Sequence, residues 1–380
     1  MQPLRILHVS EAFGGGLLGV VAELARRLAD DGHTVAVAHG RRPETPADVP
    51  AALGPGIEVF ALGWDRRTPA EQLRAARALR RLVRSWEPDV VHLHSSFAGV
   101  VGAVALPSGV PTVYSPHGYS FSRSSDGGAR RRAYLTAERF VARRIDMLGG
   151  VSDSEADQAR RIVGAPRVCV VCNGIPELDP GQLPAPVADR DRLIVGMGRA
   201  DAQRQPDAAG RILARVRDVA EVRWIGGGTP TDEGIRVLES HGVPVTGWLE
   251  PAAAKAQLGR ALAFLHWSAW DGQPLAILEA MARDVVVVAS DIPANRDLVG
   301  PRQVCSTEDE AVELLRGVVE DPALREELLD EQRARRDRYS TRRMTDDWEA
   351  VYRRLLAREP ASAPTRRRVR GVVRAGRSVD

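Results

Sequence analysis

Apolar runs and amphipathic segments alternate along the whole chain. The run LRILHVS at residues 4–10 predicts a buried strand, and the segment VVAELARRLADDG predicts an amphipathic helix that ends at Gly32. A second strand, HTVAVAHG, follows directly. Strand, glycine-rich turn, helix and strand in this order are typical of a Rossmann-type βαβ unit, so the chain opens as an α/β protein.

The same pattern restarts after a break. Residues 176–191, PELDPGQLPAPVADRD, are rich in proline and have no periodicity, which predicts a linker. A new strand, LIVGMG, follows the linker, and TDDWEAVYRRLLA predicts the last helix. The predicted parts are a first domain (1–176), a linker (177–191), a second domain (192–340), a final helix (341–358) and a disordered basic tail (359–380).

Composition adds limits to this picture. With 380 residues, 44% of them hydrophobic and 27% charged, the chain is typical of a globular protein with two cores. No apolar run reaches the roughly 20 residues of a membrane span. The segment MQPLRILHVSEAF lacks the basic and long apolar regions of a signal peptide, so we expect a cytoplasmic location.

Lysine and cysteine usage narrows the chemistry. Lys255 is the single lysine of the chain, which disfavours Schiff-base enzymes, including those that use pyridoxal phosphate. The positive charge is almost all arginine, which suits bidentate binding of phosphate. Cys169 and Cys172 form a lone CxxC in an apolar run, and without a second such pair we expect core packing rather than zinc binding.

The segment Ser268–Asp291, SAWDGQPLAILEAMARDVVVVASD, carries the strongest candidate chemistry. It predicts a polar loop, a short helix and a buried strand, with Asp271 in the loop and Glu279 in the first two turns of the helix. Free backbone N–H groups at the helix start attract phosphate, and a nearby carboxylate can accept hydrogen bonds from a diol. The residues alone fit either a site for a phosphorylated sugar or an ordinary αβ unit.

Histidines supply a second set of candidates. His92 and His94 alternate onto one face of a predicted strand, so a metal pair is conceivable, but no third ligand stands at a suitable spacing and we expect no metal. His117 follows the strand TVYS at its carboxyl end, where open parallel sheets bind their ligands. The alternative for His117 is a capped histidine on the surface.

Two further patterns leave alternatives open. Gly14, Gly16 and Gly19 fit GxGxxG, and arginine in Gly40-Arg41-Arg42 after the second strand would suit NADP, so an NADP-dependent oxidoreductase is an alternative. The segment ARRRAYLTAERFVARRIDML predicts a basic helix that either faces an anionic membrane or is simply solvated. No interleaving of aromatic and basic residues supports nucleic-acid binding.

The segment around Asp271 and Glu279 resembles the acidic-x7-Glu signature of retaining GT-B glycosyltransferases, glycosyltransferase family 4. Asp271 stands where that family usually has glutamate, and Gln273-Pro274 replaces the commoner Phe-Gly. Other family motifs follow in order along nearly the whole chain. The backbone and small groups that the resemblance assigns to donor binding are Gly15, Gly16, Gly198, Gly247, Trp248, Gly272, Leu275 and Ala276.

The resemblance also implies individual roles. Arg199 and Arg204 would hold the donor diphosphate, and Glu279 would hold the ribose. His117 would contact the sugar near its 6-hydroxyl, and Asp271 would orient it.

The resemblance also bears on four single positions. Arg204 and Gln205 stand where the family has lysine and glycine. In the segment DVVHLH, His94 would contact the acceptor. Trp248 is either a base contact or a core residue.

The fold implied is GT-B, with two Rossmann-like domains across a cleft and a C-terminal helix that crosses back to the first domain. The function implied is retaining, metal-independent transfer of a sugar from a nucleotide-diphosphate sugar to a sugar or lipid-linked acceptor, without a cofactor. Cell-surface polysaccharide or glycolipid assembly at the inner face of the membrane is the expected setting. A non-catalytic sugar-nucleotide-binding protein is the main alternative, ahead of the NADP-dependent oxidoreductase.

Overall fold

Two parallel β-sheets organise the protein. The computed structural model describes residues 2–122, 127–175, 178, 183–228 and 232–357. The predicted tail at 359–380 and part of the predicted linker lie outside these residues.

The first sheet has seven strands in the order β3-β2-β1-β4-β5-β6-β7. All of its neighbouring strands run parallel. Its strands are β1 (Arg5–Ser10), β2 (Thr34–His39), β3 (Ile57–Ala61), β4 (Val90–His94), β5 (Thr112–Ser115), β6 (Met147–Gly150) and β7 (Val168–Val170). Its helices are α1 (Gly15–Asp30), α2 (Val49–Leu53), α3 (Pro69–Trp86), α4 (Ser96–Ala105), α5 (Gly128–Ala142) and α6 (Asp153–Gln158).

The second sheet has five parallel strands in the order β12-β11-β10-β8-β9. Its strands are β8 (Leu193–Arg199), β9 (Glu221–Gly227), β10 (Ala263–His266), β11 (Val286–Ser290) and β12 (Val304–Cys305). Its helices are α7 (Pro206–Ala214), α8 (Glu233–Ser240), α9 (Pro251–Gly259), α10 (Leu275–Ala282), α11 (Pro293–Leu298), α12 (Glu308–Glu320) and α13 (Pro322–Arg336). The predicted α/β class, built on two parallel sheets, is confirmed.

Helix α1 begins earlier than its apolar periodicity predicts. The pattern marks a start near Val20, whereas the helix starts at Gly15, inside the glycine-rich turn. Gly15 itself has φ +54°, a left-handed conformation that glycine adopts at low cost. The turn after β1 therefore passes directly into the helix.

The last helix, α14 (Thr341–Leu356), packs on the first sheet rather than on the second. Its Tyr352 hydroxyl lies 2.7 Å from Nδ1 of His92 on β4. A Cβ added at Gly149 would lie 2.2 Å from the ring of Trp348, so the helix fits only because this strand carries glycine there. Within the described residues, no helix has both the length and the apolar character needed to cross a bilayer.

Candidate active site

The carboxyl-end loops of the two sheets meet. A Cβ added at Gly272, after β10, would lie 2.7 Å from the backbone nitrogen of Gly118, after β5. A Cβ added at Gly16, at the start of α1, would lie 3.1 Å from Cδ1 of Leu275. Both contacts join the predicted donor-binding loops of one domain to those of the other, so these loops face each other across one cleft.

A buried ion pair lies at the centre of the second-domain part of this cleft. Nη1 of Arg204 lies 2.7 Å from Oδ2 of Asp271, and both side chains are largely buried. Burial disfavours the charged form of Asp271, but the Arg204 charge and the contact with His266 outweigh it and lower the pKa of Asp271 well below its usual range. Asp271 is therefore an anion at neutral pH, and it is held by Arg204.

Two residues that the sequence did not single out as site residues complete this cluster. Nη1 of Arg204 also donates to Oγ of Ser268 at 2.6 Å and lies 3.3 Å from Nε2 of His266. Burial, and then the Arg204 charge, lower the pKa of His266 to about 4, so its neutral ring can accept from Arg204. His266 is buried and ends β10 directly before the loop of Asp271. Its position at the carboxyl end of a parallel strand was the available signal.

The loop that carries Arg204 is tied to the loop that carries Asp271. Nε2 of Gln203 donates to the carbonyl oxygen of Trp270 at 2.9 Å, and the N–H of Ala269 donates to the carbonyl oxygen of Gln203. Gln205 has φ +45° and ψ +61°, a left-handed conformation for which glycine is better suited. The replacement of the family glycine by Gln205 is therefore a strained one.

Gly198 and Arg199 end β8 beside this loop. Gly198 has φ +123°, and a Cβ there would lie 3.4 Å from Nε of Arg204. The Arg199 side chain is 59% exposed and lies 3.6 Å from Asp201, away from the buried pair. Of the two predicted diphosphate arginines, Arg204 is engaged by protein groups and Arg199 is open to solvent.

Helix α10 presents its first turn to the cleft. Leu275 and Ala276 begin the helix, and their N–H groups precede its first internal hydrogen bond, which Ile277 makes to Pro274. Glu279 stands one turn later, with Oε1 at 3.2 Å from Nζ of Lys255 on α9. The single lysine of the protein therefore lies against the predicted ribose-binding carboxylate.

A cavity of about 890 Å³ runs between α1 of the first domain and the α9–α10 face of the second. Glu279 and Lys255 line it on one side, and Glu23, Arg26 and Arg27 line it on the other. Linker residues, among them Leu183, Pro184 and Asp191, complete its lining, and Glu279 is the one predicted site residue that it shares within the described part of the chain.

Trp248 is 61% exposed, so the alternative that it belongs to the core is wrong. It follows Gly247, which has φ +70° and pairs with Gly226 near the carboxyl end of β9. An exposed indole beside a cleft is a suitable surface for stacking a planar base.

A chain of histidines lies on the first-domain side. Nε2 of His117 is 2.9 Å from Nδ1 of His94, and Nε2 of His94 is 3.0 Å from Nδ1 of His8. His94 is buried and both of its ring nitrogens are occupied, so the expected contact between His94 and the acceptor is wrong. His117 remains partly exposed beside Gly272, at the cleft.

The sequence also missed the third histidine beside His92 and His94. His8 pairs with His92 in the register of β1 and β4, and ring nitrogens of these three histidines lie within 4.8 Å of one another. The expectation that no third ligand stands near is wrong because strand order, not sequence spacing, brings His8 there.

Glu155 supports the loop of His117 from behind. Its carboxylate accepts from the N–H of Gly118 at 2.6 Å and from the N–H of Val151 at 2.8 Å. Burial raises its pKa to about 7, and the two backbone hydrogen bonds act in the opposite direction. Nearby, Oγ of Ser152 donates to the carbonyl oxygen of Gly272 at 2.8 Å, which fixes this loop to the second domain.

The NADP-dependent alternative requires an arginine after β2 that is free to bind the ribose phosphate. Arg42 forms an ion pair with the buried carboxylate of Glu11, which Arg67 also contacts at 3.0 Å. Arg42 is thus engaged by Glu11, whereas Arg41 beside it is exposed.

Comparisons with known proteins agree with this geometry. Residues 15–174 match the family described as a glycosyl transferase 4-like domain, and residues 191–320 match glycosyl transferases group 1. Glycogen synthase of Mycobacterium tuberculosis is 29% identical over 394 residues, which cover 92% of each chain. The UDP-Gal:alpha-D-GlcNAc-diphosphoundecaprenol alpha-1,3-galactosyltransferase of Escherichia coli is 26% identical over 60% of this chain and 64% of the enzyme.

Solved structures show the same fold. Sucrose-phosphate synthase from Thermosynechococcus elongatus superposes with a TM-score of 0.80 at 16% identity, covering 93% of this chain and 99% of that one. The Anabaena protein Alr3699/HepE, solved in complex with UDP-glucose, superposes with a TM-score of 0.72 at 16% identity, covering 92% and 99%. At this identity the likeness establishes the GT-B fold.

Proposed function

We propose that this protein, which belongs to the glycosyltransferases that join a glycosyl transferase 4-like domain to a glycosyl transferases group 1 domain, is a retaining enzyme that transfers a sugar from a nucleotide-diphosphate sugar to an acceptor hydroxyl. The observation that carries the proposal is the contact between Gly272 and the His117–Gly118 loop. It supports a cleft shared by the loop of His117 and the loop of Asp271, with Glu279 on the helix that follows.

Each group around the cleft suits one part of a donor. The open N–H groups of Leu275 and Ala276 and the exposed Arg199 suit the diphosphate. Glu279 can accept from the ribose diol, and exposed Trp248 can stack on the base.

Charge developing on the leaving diphosphate would be stabilised by arginine and helix N–H groups rather than by a metal ion. Arg204 contributes through its remaining N–H groups, since Nη1 is bound to Asp271 and Ser268. Asp271, kept ionised, is suited to orient the sugar, and front-face transfer would retain its configuration. Closure of the two domains would exclude water and so limit hydrolysis of the donor.

We place the acceptor at the carboxyl edge of the first sheet. A cavity of about 400 Å³ lies there, lined by His39, Arg41, Gly63 and Asp65 among others. A sugar or a lipid-linked sugar is the proposed acceptor, and cell-surface polysaccharide or glycolipid assembly the proposed setting. The similarity to an enzyme named for a diphosphoundecaprenol-linked substrate supports this choice.

A membrane-facing surface supports the lipid-linked alternative. Helices α3, α4 and α5 pack side by side and expose Leu73, Val104 and Phe140, three of the five large apolar side chains exposed among the described residues. The exposed arginines of the same helices and of the turn after α5 are Arg74, Arg77, Arg80, Arg81, Arg84, Arg130, Arg131, Arg132, Arg139, Arg143 and Arg144. Such a surface suits the inner face of an anionic cell membrane.

Co-sedimentation with vesicles tests this surface. Binding to phosphatidylglycerol vesicles but not to phosphatidylcholine vesicles is expected, with a weaker response for Phe140→Ser combined with Arg143→Gln. Equal sedimentation with both vesicle types, or with neither, contradicts a specific anionic-membrane surface and leaves these helices as a solvated face.

Nucleotide release from UDP-, GDP- and ADP-sugars, with mixed sugar and lipid acceptors, tests the function. Release by the wild type with one donor and loss of that release in Glu279→Gln would support transfer. Glu313→Gln, on the exposed side of α12, is the matched control and should behave as the wild type. The anomeric configuration of the product, by NMR, tests retention, and activity in EDTA tests metal independence.

Two outcomes would favour other classes. Donor binding in calorimetry without release from any acceptor would favour a non-catalytic binder. Neither binding nor release would contradict the glycosyltransferase proposal, and a change in nicotinamide absorbance would favour the oxidoreductase.

A further inference from the structure

The buried histidine chain has an order that its hydrogen bonds determine. His8 Nδ1 meets His94 Nε2 at 3.0 Å, and His94 Nδ1 meets His117 Nε2 at 2.9 Å. Burial lowers the pKa of His8 to about 3 and of His117 to about 4, and it lowers the pKa of His94 well below the usual range. All three rings are therefore neutral near pH 7, and each carries one ring proton.

The buried end of the histidine chain, at His8, favours hydrogen bonds that are donated from His8 towards His117. Nε2 of His8 is buried and has no hydrogen-bond partner among the described residues. A proton on this nitrogen would be a buried donor without an acceptor, and orphaned N–H groups are rarer than incompletely satisfied acceptors. With its proton on Nδ1 instead, His8 donates to His94, and His94 then donates from its own Nδ1 to Nε2 of His117.

At the cleft end of the histidine chain, the ring of His117 keeps one N–H group free to donate. Because Nε2 of His117 accepts from His94, its proton lies on Nδ1, which bonds to none of the described residues. This residue stands at the cleft with φ +53°, a conformation that is uncommon outside glycine and that fixes the ring relative to the loop. Nδ1 is thus available to donate to a hydroxyl oxygen of a bound sugar.

A metal site is the competing explanation for the same histidines. His92 has both ring nitrogens occupied, by the Tyr352 hydroxyl at 2.7 Å and by Oγ of Ser115 at 3.0 Å. Both nitrogens of His94 are also occupied, so an ion would have to displace several hydrogen bonds. The hydrogen-bonded arrangement gives a partner to both ring nitrogens of His92 and of His94, and within the described residues it leaves Nε2 of His8 and Nδ1 of His117 without one.

We infer that His8 and His94 are positioning residues that hold His117 as the tautomer protonated on Nδ1, which donates to a hydroxyl of the donor sugar. His8, at the buried end of the histidine chain, acts on the sugar through His94 and His117. The contact between His117 and the sugar rests on the proposed function. The tautomer of His117 does not depend on that function.

Long-range ¹H–¹⁵N NMR of the full chain with ¹⁵N-histidine tests the tautomer directly. His117 is expected to be protonated on Nδ1 in the wild type and in His8→Asn, whose amide can still donate to His94. In His8→Phe the donor is lost, so a mixture of tautomers is expected, with weaker donor binding and kcat/KM lower by roughly tenfold. His33→Asn is the control, since His33 is also buried and bonded through Nδ1, but it accepts from the N–H of Leu4, just before the amino-terminal end of β1.

Three results would overturn the inference. They are protonation of His117 on Nε2 in the wild type, an unchanged tautomer and kcat/KM in folded His8→Phe, or one equivalent of bound metal by elemental analysis of the purified protein. The wild-type spectrum decides the first of these even if His8→Phe does not fold. Absence of any glycosyl transfer by the wild type would count against the proposed function and leave the tautomer measurement intact.

Discussion

Arg204 and Asp271 form a 2.7 Å ion pair, and each of them departs from the residue that glycosyltransferase family 4 usually carries at that position. Arginine is longer than lysine, and aspartate is shorter than glutamate. The two departures therefore offset each other in reach and preserve a charged contact at the same place in the cleft.

This pairing predicts coupled effects on activity. Arg204→Lys should leave the pair too short, and Asp271→Glu should make it too long, so each variant should lower kcat/KM by about tenfold or more. The double variant should recover most of the loss, with a coupling free energy of about 2 kcal/mol or more in a double-mutant cycle. Strictly additive losses would show that the two exchanges are independent.

The contact between the two domains predicts an effect of one methyl group. In Gly272→Ala the new Cβ would lie 2.7 Å from the nitrogen of Gly118, so the loops must separate. We expect kcat/KM to fall by at least about tenfold while thermal unfolding changes little. Gly19→Ala is the matched control, because a Cβ there meets nothing within 4 Å. Full activity in Gly272→Ala would argue against closure at this contact.

Strain at Gln205 predicts a stabilising substitution. Because Gln205 has φ +45°, Gln205→Gly should raise the free energy of unfolding by about 0.5–1 kcal/mol, after the entropy that glycine adds to the unfolded chain. Gln205→Ala keeps the strained conformation and should give no gain. Urea unfolding of the three proteins checks this, and equal stability of the glycine and alanine variants would exclude strain as the cause.

The buried carboxyl group of Glu138 predicts a dependence of stability on pH. Burial raises its pKa to about 7, while hydrogen bonds from Ser96 at 2.6 Å and Tyr114 at 2.9 Å act against this shift. A group whose pKa is raised on folding contributes stability below its unfolded pKa, and this contribution is lost as pH rises through the folded value. The free energy of unfolding should therefore fall by about 3 kcal/mol as pH rises from the ordinary carboxyl pKa to about 7, and stay level above that.

Glu138→Gln removes this titration and can keep both hydrogen bonds. Its free energy of unfolding relative to the wild type should rise between pH 5 and pH 8, as measured by urea unfolding at each pH. Glu313→Gln, which changes an exposed carboxylate, should show no such trend. A difference between Glu138→Gln and wild type that does not vary with pH would mean that the carboxyl group titrates normally.

Local patterns predicted much of the fold. The alternation of apolar runs with amphipathic segments predicted two parallel α/β units, because burial on both faces of a parallel sheet requires continuous apolar strands. Motif order predicted the loops that meet at the cleft, including those of His117, Asp271 and Gly272. The start of α1 was missed because glycines carry no apolar period.

What the sequence by itself determined is therefore the type and order of the elements and the chemistry available at their ends. Only the tertiary structure decided which distant residues are partners: His8 joins His94 through strand register, and Arg204 joins Asp271 through two separate loops. It also decided that His94 is buried and that Trp248 is exposed. Periodicity reports whether a segment is buried, but contacts between segments depend on strand order and loop packing, which no local pattern encodes.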